Sequence, residues 1–128
     1  MWRVLNIAMV AALLALGCVP RTVPDREPVA MPLPFGKQVE GQLNPNRSMR
    51  YLVRVDTPGM VTLRASWDPQ EGMERIEWAA PPPLGVISFD ARDAIQLERR
   101  IPVTPGFYYV EVVPWTREGS FRLVATFR

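Results

Sequence analysis

From Phe35 onward, apolar and polar residues alternate in short runs broken by turn residues, the period-2 signature of β-strands. Residues 38–43 (QVEGQL) form the first strand candidate, and Asn44-Pro45-Asn46-Arg47 is a strong turn signal. Residues 51–56 then place Tyr51, Val53 and Val55 on one face and Leu52, Arg54 and Asp56 on the other. Thr57-Pro58-Gly59 turns the chain into residues 60–67, where Val61, Leu63, Ala65 and Trp67 share a face opposite Thr62, Arg64 and Ser66. Residues 68–77 are polar and ambiguous, with 75–79 a candidate for a further short strand. Ala80-Pro81-Pro82-Pro83 is a loop, because consecutive prolines cannot donate to a ladder. Residues 86–90 read as a strand and 91–93 as a turn.

Residues 94–103 alternate Ile95, Leu97, Ile101 and Val103 against Gln96, Glu98 and Arg100, and Arg99 interrupts the apolar side. After the turn Thr104-Pro105-Gly106, residues 107–113 are β-prone and apolar on both faces apart from Glu111, which suits a central strand. Residues 114–119 turn the chain, and Phe121, Leu123, Ala125 and Phe127 of 120–128 face inward. Seven or eight short strands without a convincing helix predict an all-β fold. The favoured form is a small antiparallel β-sandwich, jelly-roll-like, over residues 35–128, with a closed barrel as the competing architecture.

The first 34 residues follow a different pattern. Residues 4–16 are an apolar run interrupted only by Asn6, behind the single charge of Arg3. As a helix the run would span roughly 20 Å, short of a ~30 Å hydrocarbon core, so it suits the h-region of a signal peptide. It ends Leu14-Ala15-Leu16-Gly17-Cys18, which resembles the bacterial lipobox. That resemblance implies cleavage after residue 17 and lipidation of the Cys18 thiol. Val19, rather than Asp, follows the cysteine, which by analogy with Gram-negative sorting implies the outer membrane. Residues 19–34 (VPRTVPDREPVAMPLP) carry a proline every two to four positions. Such a stretch predicts an extended tether of roughly 45 Å between the anchor and the domain. The expected organisation is a signal peptide over 1–17, the lipidated cysteine and tether over 18–34, and the sandwich thereafter.

Composition narrows the function. The formal net charge is +2 and one positive residue lies in the leader, so the remaining chain is nearly neutral, with its arginines interleaved with acids. No basic stripe is present to neutralise phosphates, so nucleic acid is not an expected partner. The chain has no His and one Cys. No internal disulfide can form, and neither a Ser/His nor a Cys/His nucleophile can be assembled. Asp68, Glu71, Glu74, Glu77, Asp90 and Asp93 are the available acids, and most fall in loops or at strand ends, where solvated carboxylates are the default. Asp90 and Asp93 fall far short of the six to eight oxygens of a calcium site. No cofactor, metal or catalytic residue is expected. Trp67 is a core residue, whereas Trp78 and Trp115 lie beside loop or turn segments, where tryptophan can stack on sugars or anchor an interface.

Tyr51-Leu52-Val53-Arg54-Val55, the turn, and Gly59-Met60-Val61-Thr62-Leu63 form one hairpin pattern. Thr104-Pro105-Gly106-Phe107-Tyr108-Tyr109-Val110-Glu111-Val112 and Gly119-Ser120-Phe121-Arg122-Leu123 form a closing one. Together with Gly41-Gln42-Leu43 they resemble the bacterial pre-peptidase C-terminal (PPC) family. The resemblance implies a β-sandwich accessory module without catalytic activity. Where that family has an Asp-rich middle strand, this chain has Glu74-Arg75-Ile76-Glu77-Trp78-Ala79-Ala80, so a metal site is not carried over. The combined expectation is a membrane-anchored, non-catalytic envelope module that binds a protein or polysaccharide, with Trp78 and Trp115 as ligand-binding residues. The alternative is a structural subunit of a larger envelope complex, such as a secretion or motility apparatus.

Overall fold

A computed structural model describes residues 30–80 and 85–128. The leader, Cys18 and the first part of the tether lie outside the described residues, as does the run Pro81-Pro82-Pro83.

Among the described residues nine strands run in chain order: β1 (Met31–Pro32), β2 (Val39–Leu43), β3 (Met49–Val55), β4 (Gly59–Asp68), β5 (Met73–Ala79), β6 (Val86–Asp90), β7 (Gln96–Val103), β8 (Gly106–Pro114) and β9 (Gly119–Phe127). A short 3-10 turn, Gln70–Gly72, joins β4 to β5. The strands form a five-stranded sheet, ordered β1-β3-β8-β5-β6, and a four-stranded sheet, ordered β2-β9-β4-β7. The molecule is therefore the expected β-sandwich. Every pairing between the strands is antiparallel except β1 with β3, which is parallel.

The inner faces are those the alternation predicts. Tyr51, Val53 and Val55 of β3 are buried, as are Val61, Leu63, Ala65 and Trp67 of β4 and Phe121, Leu123 and Ala125 of β9. Among the described residues no polar or charged residue is buried. The core is held by apolar contact between the sheets, each buried methylene contributing about 0.8 kcal/mol. Two of the aromatic polar ends that enter it, on Trp67 and Tyr108, have hydrogen-bond partners. Trp67 Nε1 donates to the Ala94 carbonyl at 2.9 Å. The Tyr108 hydroxyl donates to the Thr104 carbonyl at 2.8 Å and accepts from the Thr104 amide at 3.0 Å, fastening the turn between β7 and β8.

The structure departs from the sequence pattern at three places. The stretch expected to be tether through Pro34 joins the fold earlier: β1 pairs with β3, and Leu33 is buried with its amide bonded to the Leu52 carbonyl at 2.9 Å. Proline density concealed this, because one apolar side chain between Pro32 and Pro34 gives no periodicity to read. Ile95 has the inward parity of Leu97 but is exposed, because it lies ahead of β7, where the sheet has ended. Within residues 68–77, ambiguous by pattern, Asp68 ends β4, residues 69–72 turn from one sheet into the other, and 73–77 already belong to β5. Gly119 is required at that corner, since a Cβ there would collide with the Asp68 carbonyl and with Pro69.

Tyr108→Phe keeps the ring but leaves both backbone groups of Thr104 without this partner. It should lower unfolding free energy by about 1–3 kcal/mol in a urea titration, and an unchanged midpoint would remove the assigned role of the hydroxyl.

Candidate functional site on the outer face of the five-stranded sheet

β8 is the central strand of its sheet, bonded to β3 on one side and β5 on the other. Its even-numbered residues Tyr108, Val110, Val112 and Pro114 face the core. The odd-numbered Phe107, Tyr109, Glu111 and Val113 therefore face outward. Apolar character on both faces accounts for burial of only one of them. Phe107 is 55% exposed and Tyr109 38% exposed.

Strand register extends this exposed pair into a row. Val86, Ala79, Tyr109, Leu52 and Pro32 occupy one level across β6, β5, β8, β3 and β1. The next level carries Ser88, Glu77, Glu111 and Arg50, and the one beyond it Asp90, Arg75 and Val113. An apolar row thus crosses the whole sheet beside a charged margin, with Phe107 and Arg54 on its other side.

The margin is internally neutralised. Ser48 Oγ donates to Glu111 Oε2 at 2.7 Å, and the Arg50 guanidinium reaches Glu111 Oε1 at 3.5 Å while standing 5.5 Å from the Tyr109 ring centroid. Arg75 bridges Glu77 at 2.7 Å and Glu74 at 2.9 Å. The hydrogen bond that it donates to the Glu77 carboxylate is the main reason that the Arg75 guanidinium is held above its ordinary value. Arg92 donates from its side chain and its amide to Asp90, holding that carboxyl at about 2. Exposed ion pairs of this kind add little stability. What the Arg50–Glu111 pair does is hold the Arg50 guanidinium beside the Tyr109 ring. Tyr, Phe and Arg at the edge of an apolar strip are the residue types that dominate protein interfaces.

The acids singled out by sequence do not converge. Glu74 and Glu77 serve Arg75, Asp90 serves Arg92, and Glu71 lies 3.8 Å from Arg117. Among the described residues, no group of three or more Cys, Asp or Glu is placed to hold a metal.

Trp78 does not serve as a loop anchor. β5 carries it inward, where it is 1% exposed and stacks on Tyr108 with ring centroids 5.1 Å apart. The neighbouring prolines made it resemble a loop residue, but the strand runs through Ala79 and register decides its face. Trp115 is half-buried in the turn after β8, and its amide donates to the Gly72 carbonyl at 2.9 Å. The two tryptophans therefore form no joint site. Phe107 and Tyr109, rather than Trp78, are the aromatic residues that β8 exposes, and the signal for them was the strand that read as apolar on both faces.

The outer face of the four-stranded sheet is different. A shallow trough of about 530 Å³ there is lined by residues including Arg64, Ser66, Gln96, Glu98 and Arg122. Its arginines are already matched, Arg64 with Glu98 at 3.2 Å and Arg122 with Glu40 at 3.7 Å. No exposed aromatic residue lies along it.

The sandwich can now be set beside known structures. The pre-peptidase C-terminal domain of a collagenase from Bacillus anthracis superposes with a TM-score of 0.64 at 16% identity, over 79% of this chain and 98% of that one. The fold is PPC-like. PliG from Aeromonas hydrophila, a periplasmic inhibitor of g-type lysozyme, matches at 0.50 with 12% identity over 80% of this chain and all (100%) of that one. PliG from Salmonella Typhimurium matches at 0.50 with 9% identity, over 77% of this chain and 100% of its own. No family model and no curated protein sequence matches the chain. The PPC-like sandwich is thus the shared property.

Trp78→Ala should cost about 3–5 kcal/mol of stability, as loss of a buried aromatic does. Tyr109→Ala, on the outer face, should stay within about 1 kcal/mol of wild type in the same thermal or urea unfolding experiment. Equal losses at the two positions would refute the assignment of faces.

Proposed function

We propose that this chain is a lipid-anchored, non-catalytic protein of the cell envelope whose PPC-like sandwich binds a protein partner through the row centred on Tyr109. The observation that carries the reading is that row: five aligned apolar or aromatic residues across the sheet, with Phe107 beside them and Arg50 held over Tyr109 by Glu111. A monomer has no folding reason to expose such a strip.

The direction of the chain supports the reading. β1 runs parallel to β3 and begins level with Tyr51, toward the Met49 end of the sheet, whereas Phe107 lies level with Arg54 at the other end. The chain therefore enters the domain from the side opposite Phe107. A tether arriving there leaves the aromatic end directed away from the anchor. Diacylglycerol at Cys18 would supply the attachment, and Val19 supports retention at the outer membrane. The likeness to periplasmic lysozyme inhibitors supports an envelope setting and the use of such a sandwich to bind a protein. The engaged carboxylates of Glu74, Glu77 and Asp90 support a non-catalytic role.

Affinity purification from detergent-solubilised envelope tests the face. Phe107→Ala/Tyr109→Ala should weaken recovery of the partner by about 10-fold or more, as truncation of interface hot spots does, while leaving the unfolding midpoint near wild type. A partner profile identical to wild type would overturn the proposal. The anchor is tested separately. Cys18→Ser should abolish labelling by a fatty-acid analogue and leave the precursor unprocessed, and persistent labelling would exclude Cys18 as the acylated residue.

A further inference from the structure

Four strands form the margins of the two sheets, β1 and β6 in one and β2 and β7 in the other. An open margin is a template for another strand unless something blunts it. β1 is two residues long and ends in proline. β7 carries Glu98, Arg99, Arg100 and Pro102. β2 has Glu40 next to Gly41, the latter under the Phe121 ring. β6 has none of these devices. Its sequence is Val86-Ile87-Ser88-Phe89-Asp90, without proline or a basic residue, and its only charge is terminal and already held by Arg92 at 2.9 Å. Val86 is 61% exposed and Ile87 47% exposed.

Two hydrogen bonds settle which backbone groups of β6 are free. The Ala80 amide donates to the Gly85 carbonyl at 2.8 Å, and the Ala91 amide donates to the Glu74 carbonyl at 3.0 Å. Between them the register pairs Trp78 with Ile87 and Ile76 with Phe89. Antiparallel alternation then turns the backbone groups of Ile87 and Phe89 toward β5, and those of Val86, Ser88 and Asp90 toward the open side. Among the described residues, those three amides and three carbonyls have no backbone partner.

We propose that β6 pairs with β6 of a second copy of this chain, antiparallel about Ser88, so that two five-stranded sheets become one. In that register Ser88 faces its own counterpart, Val86 faces Asp90, and Ile87 faces Phe89. All three residues with outward backbone groups meet residues of the same kind, giving roughly six new hydrogen bonds. Ile87 and Phe89 cover one another. The two Asp90 carboxylates fall at opposite ends of the junction, each beside its own Arg92, so no like charges meet. A second copy is favoured over a continuing array because each chain offers one receptive margin and three blunted ones. Association through a single self-complementary strand closes as a two-fold pair and cannot propagate. The inference stands apart from the partner reading, since it involves a margin rather than a face and needs no partner to be tested.

Sedimentation of the full chain in detergent, with amide hydrogen exchange on the same sample, provides the test. The expected result is twice the chain mass, with slow exchange at Val86, Ser88 and Asp90. Ser88→Pro removes an outward amide without touching a bond to β5, and should give a folded monomer. Ile87→Lys places a charge at the junction and should do the same, which guards against misfolding of the proline variant. A monomeric wild type overturns the proposal. So does a pair that survives both substitutions, or protection of the three amides by a different protein.

Discussion

Neither sheet of this molecule can exist alone. Hydrogen bonding within a sheet satisfies the backbone but leaves one side of every strand apolar, and that side must leave water. Here the two inner faces do this for one another with no buried polar residue among the described residues. The consequences follow in order. β8, flanked on both sides, becomes the centre of its sheet. Its inner residues are fixed by the core, and its outer residues are released from any structural duty. Among the described residues, the same closure leaves the outer faces, the strand margins and the turns as the surfaces open to a partner.

Much of this was legible in the chain. The inward series Tyr51, Val53, Val55 and Val61, Leu63, Ala65, Trp67 was readable because a one-residue slip would have exposed every member of it. Three features were not legible, each for a local reason. Leu33 enters the core between two prolines, where no alternation can develop. Trp78 borrowed a loop-like character from its neighbours, although parity within β5 buries it. Arg99 interrupts the apolar side of β7 because its guanidinium stays in solvent over the Phe89 ring, 5.4 Å from its centroid, at the margins of the two sheets. Periodicity within one strand cannot report that last arrangement, since it depends on two strands from different sheets.

The candidate face was the least legible part. Phe107 and Tyr109 were visible as hydrophobic residues but were absorbed into the reading of a central strand. Only register across β6, β5, β8, β3 and β1 shows that their neighbours are apolar as well, and that Arg50 stands over Tyr109 while held by Glu111. The sequence distance from Pro32 to Tyr109 makes such a row invisible to any local window. Similarity to a collagenase domain and to lysozyme inhibitors concerns the scaffold, which many functions can share.

The parallel pairing of β1 with β3 has a mechanical side. Tension applied to the N-terminal end of β1 along its axis would act parallel to its pairing with β3. A strand pulled along its axis loads its cross-strand bonds together, in shear, whereas one peeled sideways gives them up in turn. Leu33, seated in the core just beyond, acts as a plug on that line of force. Force applied along that strand would thus be borne by the β1–β3 seam and by Leu33 before it could disturb the rest of the sandwich.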